Sequence, residues 1–487
     1  MNNIIKAAPW ACLFLCCLPA FGQEWTFDKN THIAYRLALD LHTDEVHKLI
    51  PHPETSQEHY VVSLAEALEL LVTEDNEKYH RYEHNFEKRA ARKLKKGDPH
   101  ELFMEAETHL QWAFVYLKFG HEFDAALNFR HAYNITMDVR ERFPDYKAIL
   151  KTDGLLEVII GSIPEKYNWV LGVMNMQGTI KIGLEEFEGI KTSDHALAFE
   201  AGLLHAFTQG FLLQNVELAL DEINQLQAMD PTNRLALFLG ANLHLKNNSS
   251  EKALALLLKI EKQSTGLPLY YTEYLKGEIY LHKGEYTKGI ASFREFLEHY
   301  KGENYVKDTH YKMGLCYMLN GDRKVAEATF EVAKRAGKEA TEPDRYAARS
   351  VSDPVFTNID LVKVRYMTDG GYYQEARKIL DQIDRSKLTL DRDQTEYMYR
   401  KARLAHHLGE IGTAKEEYQK TIFATDQEDW YFAPNACLQM GYITRDENDF
   451  VSARTWFQRA LTYKKHEYKN SIDSKARSAL AQLNNAR

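Results

Sequence analysis

The 487-residue chain is 44% hydrophobic and 27% charged, which excludes a disordered polymer, and it sets 61 basic against 70 acidic side chains for a formal charge of −9. An acidic surface repels phosphate backbones, and no basic stripe interleaved with aromatics appears, so nucleic acid is not the expected partner. Only 12 prolines and 25 glycines, with Ala, Leu, Glu and Lys recurring throughout, favour an all-α fold.

Residues 1–22 read as a cleavable signal peptide. Lys6 precedes an apolar run from Ala7 to Leu18, then Pro19 and Ala20-Phe21-Gly22 place small residues before Gln23. The run is too short to span roughly 30 Å of hydrocarbon, and no later stretch is long enough, so the mature chain is expected to have no transmembrane segment and to be exported, periplasmic or extracellular, with peripheral envelope association possible. Cleavage removes Lys6 and leaves 60 basic against 70 acidic side chains. Cys12, Cys16 and Cys17 go with the leader. Phe14 and Leu15 are bulky where a lipidation signal needs small residues, which argues against a lipid anchor. Cys316 and Cys437 remain, 121 residues apart, and are expected as two free thiols.

Residues 23–100 carry no repeat, and the amphipathic stretches Tyr60–Leu71 and Glu77–Lys95 predict an N-terminal helical cap. The cap holds one catalytic-looking string, His80-Arg81-Tyr82-Glu83-His84. His80 and His84 stand one helical turn apart and could share Zn²⁺, with Glu83 as general base, the arrangement of an inverted zinc peptidase. A third ligand is not identifiable, since Glu101, Glu105 and Glu107 are merely available acids, and a solvated histidine pair is the preferred reading. His406 and His407 are adjacent and point apart on a helix. Lys93, Lys95 and Lys96 fit a solvated helix end. With no Gly-rich phosphate loop, no G-x-S-x-G and no Cys-x-x-Cys, neither catalysis, a cofactor nor a metal is expected.

From about residue 100 the chain repeats itself. Gly314, Tyr317, Gly321, Ala326, Phe330 and Ala333 fall at offsets 0, 3, 7, 12, 16 and 19, and the register recurs from Ala113, Gly277, Ala402 and Gly441. The mid-repeat small residues are Ala125, Gly183, Ala219, Ala253, Gly289, Ala326, Ala376, Ala414 and Ala453. Their spacing is 34 to 39 residues except for two gaps of 58 and 50, which mark insertions around Phe143–Trp169 and Gly337–Pro354. Glu342-Pro343-Asp344 and Asp353-Pro354 break helical periodicity in the second.

This skeleton resembles the tetratricopeptide repeat. The resemblance implies a right-handed superhelical solenoid of antiparallel helix hairpins, about nine repeats long, behind the N-terminal cap. Its expected parts are the signal 1–22, the cap 23–100, a first array 101–340 with an irregular hairpin near 143–190, an insertion 341–354, and a second array 355–487. The segment Gly154–Leu184 also resembles the eukaryotic tetratricopeptide family related to the yeast inclusion-body clearance protein, which supports a non-standard early hairpin.

The resemblance further implies a concave face lined by the first helix of each repeat. Carried over, its groove positions are Tyr271, Tyr274, Glu278, Tyr311, Arg365, Tyr399, Arg403 and Tyr442. Tyrosine and arginine dominate binding energy when buried at interfaces, so the expected function is a non-catalytic scaffold for a protein or peptide ligand. The family's chaperone-tail clamp uses Lys and Asn where this chain has Tyr274 and Glu278, which argues against that use. The alternative reading is a glycan-capturing outer-membrane partner, for which aromatic richness speaks, and the distant third is the zinc peptidase.

Overall fold

The computed structural model describes residues 24–95, 97–163, 175–352, 358–425 and 428–485. The expected signal peptide therefore lies outside the described residues, as do Lys96, Trp169, Asp353 and Pro354. Four helices open the described chain: α1 (Lys29–Leu39), α2 (Thr43–Leu49), α3 (Ser56–Thr73) and α4 (Asn76–Ala90). Polar caps set the starts of α1, α3 and α4: Asp28 accepts from the amides of Asn30 and Thr31, Thr55 with Glu58 forms a reciprocal capping box, and Asp75 accepts from the amides of Glu77 and Lys78.

Six hairpins follow. They are α5 (Pro99–Lys118) with α6 (Glu122–Arg142), α7 (Ile149–Gly161) with α8 (Ile180–Lys191), and α9 (Ala198–Phe207), extended by a π turn at Thr208–Leu212, with α10 (Val216–Met229). Next come α11 (Arg234–Lys246) with α12 (Ser250–Glu261), α13 (Tyr271–Lys283) with α14 (Tyr286–His299), and α15 (Val306–Leu319) with α16 (Arg323–Arg335). A lone helix α17 (Glu342–Ser352) separates these from three more hairpins, α18 (Ile359–Gly370) with α19 (Tyr373–Gln382), α20 (Asp391–His407) with α21 (Ile411–Thr425), and α22 (Phe432–Asp446) with α23 (Phe450–Ala460). Helix α24 (Lys469–Asn485) packs on the last hairpin, and no strand occurs among the described residues.

All nine mid-repeat small residues stand on the second helix of a hairpin, and all are buried. The small residue at offset 0, on the first helix, is equally constrained: in the sixth hairpin a methyl group added to Gly314 would stand 2.6 Å from the Phe330 ring. The aromatic at offset 16 thus lies directly on the glycine of its own hairpin, and the same collision would occur at Gly277 with Phe293 and at Gly441 with Phe457. The glycines at offset 7 of the repeat, Gly120, Gly284, Gly321 and Gly409, end the first helices of their hairpins and take φ of +82°, +82°, +94° and +78°. Asn248 and Asn448 fill the same role at φ of +51° and +63°. In the second hairpin Gly154 and Gly183 face each other across α7 and α8, and a side chain on Gly154 would stand 2.9 Å from the Gly183 carbonyl oxygen. That close approach is the non-standard feature of the Gly154–Leu184 segment.

One expectation is corrected. Pro343 does not break a helix: it sits in the first turn of α17, where its missing N–H would have had no partner anyway.

The stack also does more than contact its neighbours. The chain from Tyr35 to His42 runs across the third and fourth repeats: Arg36 pairs with Asp230 at 2.6 Å, Asn233 donates to the Leu39 carbonyl at 3.2 Å, and the Leu267 amide donates to the Leu41 carbonyl at 2.8 Å. From the other end, α18 packs on α13 of the fifth repeat as well as on its own partner α19. Tyr372 donates to Glu251 at 2.7 Å, and Ser478 of α24 donates to the Leu213 carbonyl at 2.8 Å. Both ends of the described chain thereby pack against the middle repeats.

Candidate binding cavity

The fold-back divides the expected groove. Tyr271 stacks on Tyr274, with ring centroids 5.3 Å apart. The Tyr274 hydroxyl donates to Asp308 at 2.7 Å, and Lys312 donates to Tyr274 at 2.7 Å and pairs with Glu278. These three positions are therefore knitted into an internal network with Lys312 and Asp308. Tyr399 is 2% exposed and packs on Phe432, 5.4 Å between centroids. Tyr311 and Arg365 line a cavity of about 250 Å³. There Arg365 donates to the hydroxyls of Tyr346 at 2.9 Å and Tyr468 at 2.5 Å, stitching α17 to the turn before α24.

Arg403 and Tyr442 line a different and larger cavity of about 480 Å³, which opens between the helix-ending loops of the third and fourth repeats and the first helices of the last two. Lys246, Arg445 and Lys475 join them, while Glu217 is the one carboxylate in the lining. Arg445 is neutralised by Asp446 at 2.9 Å. Lys246, Arg403 and Lys475 have no ion pair among the described residues. Lys246 instead lies 5.3 Å from the centroid of Phe211, a residue of the π turn, a distortion found often at functional sites.

The electrostatic consequence is direct. Burial and the nearby Lys475 push the Lys246 ammonium down to about 8. Burial and Arg403 lower Lys475 as well. Burial and Arg403 also push His407, on the same wall, down to about 3, which keeps it neutral. Three cations thus converge on one cavity of an acidic protein, none of them in salt-bridge contact among the described residues, with Asp369 the carboxylate whose charge acts on both Arg403 and Lys475. Two hydrogen bonds hold the walls: Ser478 to Leu213, described above, and Gln482 to Asn215 at 2.6 Å.

Sequence reasoning found Arg403 and Tyr442 but missed Lys246 and Lys475. Lys246 ends an unremarkable helix and Lys475 belongs to no repeat, so no local signal marks either. The string at His80 leads elsewhere: the His80 and His84 side chains are 83% and 63% exposed, and they approach Glu83 and Glu87 respectively, with no third ligand gathered beside them among the described residues. Cys316 and Cys437 are buried and free, in separate core clusters, and burial pushes each thiol up to about 12.

No family model and no curated protein matches the chain. Among solved structures, the apo form of the quorum sensor NprR from B. thuringiensis is similar at 16% identity and TM-score 0.35, covering 75% of this chain and 98% of its own. A human IFIT1 dimer with PPP-AAAA is similar at 14% identity and TM-score 0.31, covering 90% and 96%. The Cut9–Hcn1 hetero-tetramer of the APC/C is similar at 11% identity and TM-score 0.29, covering 94% and 90%. With nine hairpins and a buried small residue at the centre of each, the described chain folds as an all-α array of antiparallel helix hairpins, the architecture that the tetratricopeptide resemblance implies.

Proposed function

We propose that this chain is an exported, non-catalytic scaffold, acting in the periplasm or outside the cell, that captures an acidic segment of a protein partner between Lys246, Arg403 and Lys475. One observation carries the reading: three cations face a 480 Å³ cavity with no ion pair of their own. Crowded like charges destabilise each other, and a ligand carboxylate entering the cavity relieves that repulsion while gaining charge-assisted hydrogen bonds. Tyr442 and the 57% exposed Leu218 offer apolar surface beside them, suited to a peptide that mixes acidic and apolar side chains. Glycan capture makes a different demand, exposed rings for stacking, and the groove tyrosines Tyr274 and Tyr399 are each only 2% exposed. Export rests on the leader-like residues 1–22.

The test uses the chain from Gln23 onward and a labelled Glu-rich peptide with interspersed Leu, against a Lys-rich control, followed by fluorescence anisotropy. The acidic peptide is expected to bind and the basic one not to. The Arg403→Ala, Lys475→Met double variant is expected to weaken binding by about 1–3 kcal/mol for each cation removed. Its fold is checked by helical signal and urea midpoint, since Arg403 also hydrogen-bonds Tyr418 within its own hairpin. The same comparison in a pull-down from envelope extract identifies the natural partner. Equal affinity in parent and variant overturns the cavity as the binding site. A fusion of residues 1–22 to a periplasm-dependent reporter tests export, and cytoplasmic retention overturns it.

A further inference from the structure

Outside the cavity, the first repeat brings together three side chains that the sequence scatters. Glu105 and His109 stand one turn apart on α5, and His131 reaches across from the antiparallel α6. One donor atom from each lies within 4.8 Å of the other two. Glu105 Oε1 and His131 Nε2 are 3.4 Å apart, and the two imidazole rings meet at 4.2 Å between centroids. Ligands held 2.0–2.1 Å from a tetrahedral zinc stand roughly 3.3 Å from one another, so the Glu105–His131 spacing already fits, and rotation about side-chain bonds closes the remainder.

The deciding detail is the state of His109. Asn128 donates its amide N–H to the Asp124 carbonyl at 2.9 Å, which turns its own carbonyl oxygen toward His109. That oxygen can only accept, so His109 Nδ1, 2.6 Å away, is the donor. The proton is thereby fixed on Nδ1, and Nε2 is left with a free lone pair and no hydrogen bond among the described residues. An imidazole oriented by an oxygen acceptor behind it is the arrangement that metal-ligating histidines adopt.

We infer that Glu105, His109 and His131 form a mononuclear site for a divalent transition ion of the zinc class, with Asn128 as positioning residue and a fourth coordination position open to water or a ligand. The ion would tie the two helices of the first hairpin together. The donor set of two imidazoles and one carboxylate suits zinc, cobalt(II) and nickel(II), and disfavours calcium and magnesium, which require oxygen ligands. The site is separate from the exposed His80–His84 pair.

The experiment uses untagged, chelator-treated protein from Gln23 onward. Zinc titration by calorimetry should give one strong site per chain, and cobalt(II) should give visible d–d absorption of a low-coordinate ion. His131→Ala, whose side chain is 51% exposed, should fold normally and lose at least tenfold in affinity. His109→Ala should do the same. Asn128→Ala leaves all three ligands in place and should cost about 10–100-fold, the usual loss when an outer-shell partner is removed. The His80→Ala, His84→Ala double variant should bind as the parent does. Zinc stoichiometry or affinity unchanged by His131→Ala, or no binding by the parent at micromolar zinc, overturns the site. Loss of binding only in the His80/His84 variant overturns it equally.

Discussion

Lys151 shows how a single residue is held where its charge should not be. It is 1% exposed, and its ammonium donates to Glu107 and Glu200 at 2.7 Å each, while Tyr35 and Tyr60 also donate to Glu200. Burial by itself would lower its pKa, but two flanking carboxylates reverse the sign and raise it. Glu107, by contrast, is raised by burial. The cluster fastens the first helices of three repeats to α1 and α3, so its loss is expected to be felt globally. Lys151→Met should cost about 3–5 kcal/mol, because it leaves two carboxylates buried without a cation. Adding Glu107→Gln and Glu200→Gln should recover most of that loss. Urea midpoints measure both, and a midpoint unchanged in Lys151→Met would show that the cluster is not a stabilising unit.

At the level of the hairpin, stability depends on how closely two helices approach at the mid-repeat small residue. Ala326 is fully buried in α16 against α15, while its chain neighbour Val325 is 47% exposed. Ala326→Leu should force the helices apart and cost about 1–3 kcal/mol by overpacking. Val325→Leu, on the outer face, should change stability by less than about 0.5 kcal/mol. Equal effects at the two positions in a denaturant series would show that the repeat register is displaced. The offset-16 phenylalanines make the same point from the other side, since each occupies the volume that its facing glycine vacates.

Across the whole molecule, burial leaves several histidines unable to accept a proton. Burial and Arg92 push His59 down to about 4, and burial and Arg403 do the same to His406 and take His407 to about 3. An unfolded histidine titrates near 6.5, so as pH falls below that value the unfolded chain binds protons that these three sites refuse. Their contribution is complete above about pH 6.5 and is lost as the pH falls toward 4. Glu186 acts in the opposite sense: burial and Asp153 push it up to about 8, so its contribution is present at low pH and fades as pH rises through that value. The clean measurement is therefore a difference. Relative to a His59→Gln, His406→Gln, His407→Gln variant, the parent should lose stability as the pH is taken from 7 to 5, and parallel profiles would contradict the burial of these rings.

How much was legible in the sequence follows from where the forces lie. The helical class, the nine anchors and the glycine caps depend on contacts within one hairpin of about 35 residues. Gly314 and Phe330, or Gly277 and Phe293, must satisfy each other inside that short span, so their spacing is written in the chain. The helix at Pro343 was hidden because proline ends one helix and begins another with equal ease. The division of the groove was hidden for a deeper reason. Arg365 and Arg403 occupy equivalent family positions, yet the packing of α18 on α13 and of α24 on the loop at Leu213 sends them into separate cavities. Those contacts span from about 85 to 265 residues and follow no period. Lys246 with Lys475, and Glu105 and His109 with His131, carry chemistry only through their juxtaposition. Local periodicity determined the repeats, and the closure of the chain on itself, a balance of burial and charge among distant segments, decided where a ligand can enter.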